Sequence, residues 1–331
     1  MLLTWPADSG GPWIILLAAL LLDTAIGDPR WLYRAVPHPV AAFGGLIARL
    51  EAHLNRPHLS PAVQRRRGIW LTVAAVAGAG LGGFALERAT LALSGGWAIE
   101  AALAAVLLAG RGLYDHVAAV AAGLARSLDH GRAAVAHIVG RDPESLDTPG
   151  VARAGAESLA ENFSDGVVAP VFWFALFGLG GLAAYKALNT LDSMIGHRSE
   201  RFAAFGAFAA RLDDACNWIP ARLSGLLLAG AATLLPGACA AGAWRAMRRD
   251  APHHRSPNAG WPEAALAGAL GLALAGPRRY GGRLFDDRWM GDGRAELTVA
   301  DLRRALRLYL VANAILFAGV GVSAVLSSYL A

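Results

Sequence analysis

The chain has 331 residues, 55% of them hydrophobic and only 17% charged, with a mean hydropathy of +0.41. That little charge cannot cover the surface of a soluble protein this size, so lipid is part of its solvent and an ordinary water-soluble enzyme is excluded. The formal net charge is +5, but the arginines flank apolar runs, as at 64–67 and 245–249, which is where membrane proteins keep cytoplasmic positive charge and not how a nucleic-acid face is built.

Residues 12–26 form the first apolar run, stopped by Gly27-Asp28-Pro29. Residues 1–12 carry no Lys or Arg, so they lack the basic start of a signal peptide, and the run reads as a retained span. A polar segment, 30–67, follows, with an amphipathic stretch around 44–54. Residues 68–94 are the clearest span, since about 20 apolar residues cross a bilayer; Glu87 and Arg88 near its far end are expected at the interface. Residues 97–109 then return after a short turn.

Residues 111–165 read as a soluble helical segment in which Pro143 and Pro149 bracket a loop. The run 167–188 is broken at 178–181 into halves of about ten residues, about 15 Å of helix each, and has basic flanks on both sides. A re-entrant hairpin is the expected form. The run 223–244, interrupted at Pro236-Gly237, has the same character; 263–276 is too short to cross alone, and 306–330 is a full span. The expected fold class is all-α: a polytopic integral membrane helical protein with re-entrant or broken helices, one membrane-embedded domain over 1–331, and 111–165 as a mainly cytoplasmic helical segment. An outer N-terminus without Lys or Arg puts that segment in the cytoplasm of a cell whose inner membrane holds the protein.

Polar residues at the edges of these runs gather in four clusters: 23–31 with 38–40, 157–166, 185–194 and 211–222. Lys186, Asn189 and Asp192 follow one another at three-residue intervals and share a helix face, as do Glu157 and Glu161 four apart. Carboxylates set close together repel unless a cation or proton joins them, and magnesium, a hard ion that favours oxygen ligands and phosphates, suits such a set. A charge at the end of an apolar helix is as often a solvated boundary residue, but ionisable groups at membrane depth are costly and tend to be functional; Asp23, inside the first run, is the sharpest case. Lys186 is the one lysine in a chain rich in arginine, which favours a role for a compact ammonium. Cys216 and Cys239 have no metal or redox spacing. The GxGxxG match at 78–83 lies inside an apolar span with no strand before it and reads as close helix packing. No GxxxxGK[ST] loop is present, and His253-His254 reads as solvated loop.

Several of these stretches resemble the CobD/CbiB family: GDPRW at 27–31 with HPV at 38–40, ESLAENFSDGVVAP at 157–170, YKALNTLDSMIG at 185–196, RLDDACNWIPARL at 211–223 and SPNAGWPEAALAG at 256–268, with Tyr280-Gly281-Gly282 and Gly291-Asp292-Gly293 beyond. The resemblance runs in order from about residue 16 to the last span. It implies adenosylcobinamide-phosphate synthase activity, an ATP-dependent ligase joining (adenosyl)cobyric acid to aminopropanol or its O-phosphate through an amide, with other enzymes of cobalamin assembly as partners. The corrinoid comes from the resemblance alone.

Such chemistry assigns roles. A carboxylate is a poor acyl donor, so ATP is expected to convert it to an acyl phosphate that the amine attacks, and phosphoryl transfer needs positioning and charge neutralisation above all. Lys186, Asp192, Glu157 and Glu161 are the expected catalytic residues. Asp192, Asp213, Asp214 and Glu161 are the expected Mg2+ ligands, with Asp165 and Glu157 as further carboxylates. Lys186 and Arg211 or Arg222 neutralise phosphoryl oxygens. Asp28, Arg30, His38, Asn162, Asp165, Asn189, Arg211, Asn217, Trp218, Arg222, Asn258 and Trp261 are expected to bind ATP or the corrinoid, whose amide-rich rim suits asparagines and whose ring suits the faces of Trp173, Trp218 and Trp261. Two other classes compete: a magnesium-dependent membrane transferase of diphosphates, which calls for a repeated DxxxD or DxxD framework that is absent, and a corrinoid transporter, which calls for repeat symmetry between halves that is not visible.

Overall fold

The computed structural model describes residues 11–29, 33–34, 36–139, 143–197, 199–280, 283–285 and 287–330. Its helices are α1 (Gly11–Ile26), α2 (Pro39–Leu54), α3 (Pro61–Leu91), α4 (Gly96–Leu107), α5 (Gly110–Leu124), α6 (Leu128–Val135), α7 (Thr148–Phe163), α8 (Ala169–Ile195), α9 (Ala207–Cys216), α10 (Trp218–Leu234), α11 (Ala240–Asp250), α12 (Gly260–Leu270) and α13 (Val299–Leu330). Two small antiparallel strand pairs interrupt the all-helical pattern: β1 (Leu274–Ala275) with β4 (Trp289–Met290), and β2 (Arg278–Tyr280) with β3 (Arg283–Phe285).

Among the described residues four helical stretches are long and apolar enough to cross a membrane: Pro61–Leu91, Gly96–Leu124, Thr148–Ile195 and Val299–Tyr329. In the first and last of these only 17% of the apolar window is buried. Their large side chains, including Trp70, Leu81, Phe84, Val322 and Leu326, therefore face outward, as they do on helices solvated by lipid. The protein is a polytopic α-helical membrane protein. The first apolar run forms α1 over the bounds expected, 16 residues with about 24 Å of rise against a hydrocarbon core of about 30 Å, a short helix for a span. Apolar character also continues past 109, through α5 to Leu124, so the segment expected to be soluble starts with part of an apolar window.

The chain forms two compact units, one of Met1–Ala109, Ala169–Asn217 and Val320–Ala331, the other of Gly110–Val168 and Trp218–Gly319. In the first, α3 lies close against α8. A Cβ on Gly83 would sit 2.8 Å from Leu179 O and 2.9 Å from the Ala183 Cβ, and one on Gly80 3.3 Å from the Ala184 Cβ, so the 78–83 glycine run is a helix-packing surface. Ile47, Leu71, Leu191, Ile195 and Phe205 close a small core between α2, α3, α8 and the turn before α9.

The break expected at 178–181 falls on Gly178, with φ 65° and ψ −153° inside α8. The chain bends there so sharply that a Cβ on Gly181 would lie 2.6 Å from Trp173 O, although residues eight apart in a straight helix are separated by about 12 Å. Glu87, near the far end of α3, is fully buried within the protein, where the bend brings a backbone N–H to it.

In the second unit α5, α6, α7, α12 and α13 surround a core that includes Val117, Val120, Val151, Leu159, Phe163, Leu266, Leu302 and Tyr309. Pro149 sits in the first turn of α7, whose N-cap Asp147 accepts from Gly150 N–H at 2.8 Å. Pro143, opening the short turn 143–145, and Pro149, in the first turn of α7, thus bracket the loop between them, as expected. α7 ends in a π-helical turn, Ser164–Val168, a distortion that recurs at functional sites.

Candidate active site

The first unit gathers a carboxylate and amide cluster at the C-terminal end of α8 and along α9. Tyr185 Oη donates to Asn217 Oδ1 at 2.9 Å, and Asn217 Nδ2 donates to Asp213 Oδ2 at 2.9 Å. Asn217 holds this position because it caps α9, with its N–H bonded to Asp213 O at 2.9 Å. Asp213 is buried, and its Oδ1 has no hydrogen-bond partner among the described residues. Burial pushes the Asp213 carboxyl up to about 7; the charges of Asp192 and Asp214 add to the rise, while the amides of Asn217 and Asn189 oppose it. The cluster therefore holds more acceptors than donors.

Asp192 reaches this cluster from α8, where its charge is felt by Asp213 and it feels those of Asp214 and His197. Its Oδ1 packs so close to Gly196 that a Cβ there would lie 2.0 Å away, so the glycine following α8 makes room for the carboxylate. Lys186 is half-buried two turns before Asp192 and borders an apolar groove of about 460 Å³ lined also by Phe43, Gly83, Leu103 and Thr190. Arg211 is exposed on α9. Asp28 and His38 face each other, His38 Nε2 lying 3.5 Å from Asp28 Oδ1, while His38 Nδ1 accepts from Val40 N–H at 3.2 Å and caps α2. Arg30 lies outside the described residues, as do Trp31, Gly281 and Gly282.

The second unit gathers the other set. The Arg222 guanidinium lies between two indole rings, 4.3 Å from the Trp218 centroid and 4.6 Å from that of Trp261. Its Nη1 donates to Trp218 O at 2.8 Å and to Asn258 Oδ1 at 3.1 Å. The loop that presents Asn258 is shaped by Ser256, whose Oγ accepts from Asn258 N–H and Ala259 N–H at 3.2 Å each. Trp218 is 55% exposed, leaving one apolar face open beside a fixed cation. Asn162 Nδ2 donates to Ser158 O at 2.9 Å; Glu161 and Asn162 are exposed and Asp165 half-buried around the π turn.

Glu157 does not join Glu161 on an open face. It is buried, and its Oε1 accepts from Ala275 N–H at 2.9 Å, which fixes β1 at a residue with φ 57°. That contact gives it a holding role that the sequence spacing concealed. Tyr185, His197 and Glu100 carry no role in the sequence reading. Glu100 had a legible signal, a single acid in the apolar run 97–109, whereas Tyr185 needed the tertiary contact with Asn217.

For Mg2+, no three His, Cys, Asp or Glu groups among the described residues form a ready cage. The acceptor surplus around Asp213 still fits a hard cation, which is commonly held by one or two carboxylates with waters and substrate phosphates completing its shell.

A CobD/CbiB protein family model matches residues 16–309. The chain belongs to that family. Among its relatives, the Brucella anthropi protein is 51% identical over 301 residues, covering 89% of this chain and 92% of the relative. The Rhizobium meliloti protein is 50% identical over 307 residues, covering 92% and 94%, and the Rhodobacter capsulatus protein 48% over 318 residues, covering 95% and 98%. Each is named cobalamin biosynthesis protein CobD. No solved structure matches the fold.

Proposed function

We propose that this CobD/CbiB-family protein acts in cobalamin biosynthesis as an ATP-dependent amide ligase, joining (adenosyl)cobyric acid to (R)-1-amino-2-propanol or its O-phosphate. The observation that carries the reading is the acceptor-rich cluster of Asp192, Asp213, Asp214, Asn189 and Asn217, within a chain matched by the family over nearly its whole length. In the reaction the corrinoid carboxylate takes the terminal phosphoryl group of ATP and releases ADP; the amine nitrogen then attacks the acyl carbon, phosphate departs, and a carboxylate of the enzyme accepts the ammonium proton.

Asp192 and Asp214 would hold magnesium, with Asp213 beside them. When bound, the ion neutralises charge on phosphate oxygens. Lys186 supplies a compact positive charge to the phosphoryl group. Arg222, fixed between its indoles and Asn258, supplies hydrogen-bond donors and an apolar flank for the amide-rich corrinoid. Glu157 holds β1 in place. The same reading puts the protein in the cell's inner membrane, with its active site on the cytoplasmic side, where ATP is available.

Purified protein incubated with cobyric acid, aminopropanol phosphate, ATP and magnesium should yield a corrinoid heavier by the aminopropanol phosphate unit less water. Lys186→Ala and Asp192→Ala should abolish that gain while the protein still inserts into membranes. Corrinoid uptake into vesicles without any ATP-dependent change of mass would replace the ligase reading with transport.

A further inference from the structure

The second unit carries a polar concavity that the proposed reaction leaves unused. It has a volume of about 330 Å³ and is lined by Gly237, Cys239, Arg245, Arg249, Gly271 and Asp292, among others. It lies where Cys239 N–H bonds Ala269 O at 2.8 Å and a Cβ on Gly242 would touch Gly268 O at 2.4 Å. The Arg222–Asn258 group is at the opposite end of α12, whose 11 residues rise about 16 Å.

The charges around the pocket are unevenly satisfied. Arg249 grips Asp250 at 2.7 and 2.8 Å and Asp292 at 2.6 Å. Asp250 also accepts from Gly291 N–H at 2.8 Å. Arg304, from the second turn of α13, donates to Gly237 O at 2.9 Å at the pocket edge. The nearby acid Asp301 is engaged by Arg294 at 2.6 Å and by Thr298 N–H at 2.8 Å. Arg245 has no ion pair or hydrogen bond among the described residues, although its charge reaches the one acid in the lining, Asp292, whose side chain is 78% exposed. One further feature bears on the pocket's level. α11 packs Ala243, Ala246 and Met247 into the protein core and leaves Trp244, Arg245, Arg248 and Arg249 on its open face. Arg304 belongs to the basic end of the span Val299–Tyr329, where Arg303 and Arg307 are also exposed, and positive span ends mark the cytoplasmic leaflet.

We propose that this pocket binds the phosphate of an anionic phospholipid headgroup. Planar guanidiniums match phosphate oxygens in charge and geometry, a basic pocket beside a span at headgroup level is where such lipids are held, and Trp244 anchors the helix that presents the arginines. A soluble phosphate ester shares the chemistry, so the test must separate the two sources.

The full-length protein in neutral detergent is melted with added phosphatidylglycerol, phosphatidylcholine, inorganic phosphate or ATP, and retained lipid is counted by native mass spectrometry. Phosphatidylglycerol should raise Tm and remain bound, and phosphatidylcholine should do neither. Arg245→Glu and Arg245→Gln, at an exposed position that makes no hydrogen bond among the described residues, should lose most of that shift, while Arg248→Glu, on the same helix but outside the pocket, keeps it. Equal effects of the two lipids would overturn the proposal. So would an unchanged shift in both Arg245 variants, an equal loss in Arg248→Glu, or a full shift from phosphate or ATP to which phosphatidylglycerol adds nothing.

Discussion

Glu87 Oε2 accepts the backbone N–H of Leu179 at 2.8 Å, across 92 residues of sequence. Gly178 breaks α8, so the N–H that follows has no acceptor four residues back, and an acid from α3 caps the second half of the helix instead. Replacing Glu87 with Leu leaves that N–H buried and unpaired, which should cost about 1–3 kcal/mol. Gln retains an acceptor oxygen and should cost clearly less. Gly178→Ala forces a side chain into a conformation essentially reserved for glycine, with its Cβ 2.3 Å from Glu87 Oε2, and should lose about 2 kcal/mol or more. Unfolding of the four proteins in mixed micelles measures this, and equal stability of the Gln and Leu variants would remove the cap.

Glu100 on α4 is fully buried, and neither carboxylate oxygen has a hydrogen-bond partner among the described residues. A polar group in that position is a cost to folding. Glu100→Leu should therefore stabilise the protein, by about 1–3 kcal/mol. A lower unfolding midpoint for the variant would show that the acid has a partner supplied by its surroundings.

The raised affinity of Asp213 for a proton sets the sign of a pH effect. Its folded pKa of about 7 lies above the value of about 3.9 for an unfolded chain, so the folded state binds the extra proton between those limits. Stability from this group is complete below about pH 4 and declines as pH rises through about 7. Magnesium, which favours the ionised form, should oppose the decline. Melting temperatures from pH 5 to 8 should fall less steeply for Asp213→Asn than for the wild type, and parallel profiles would show that Asp213 does not titrate there.

Helices and their apolar faces were legible because their signals are local. The break at Gly178 follows from four residues, three of them glycine, in an apolar run, and the glycine-packed face of α3 from the spacing at 78–83. The roles of the acids were not local. Glu157 and Glu161 share a spacing, yet Glu157 is drawn into the core by an N–H donor at Ala275, more than a hundred residues away. Glu87 looked like a boundary residue because nothing near it in sequence announces the N–H at Leu179. The cluster at Asp192, Asp213 and Asn217 was nominated by residue type, but its organising contact, Tyr185 to Asn217, depends on how α8 meets α9. The β pairs at 274–290 are too short to leave a periodic signal.

Arg222 tests whether the second unit's constellation depends on shape as well as charge. Lysine keeps the charge, but it cannot lie flat between Trp218 and Trp261 or fix Asn258 while also donating to Trp218 O. Arg222→Lys should therefore lower kcat/KM for the corrinoid by about tenfold or more, equivalent to about 1.4 kcal/mol of transition-state binding, with the KM for ATP little changed. Trp218→Phe keeps an apolar face and should lose less than Trp218→Ala. Steady-state kinetics with each substrate varied in turn gives the comparison. If Arg222→Lys matches the wild type for the corrinoid, the stacked guanidinium is a structural feature of the loop and takes no part in recognition.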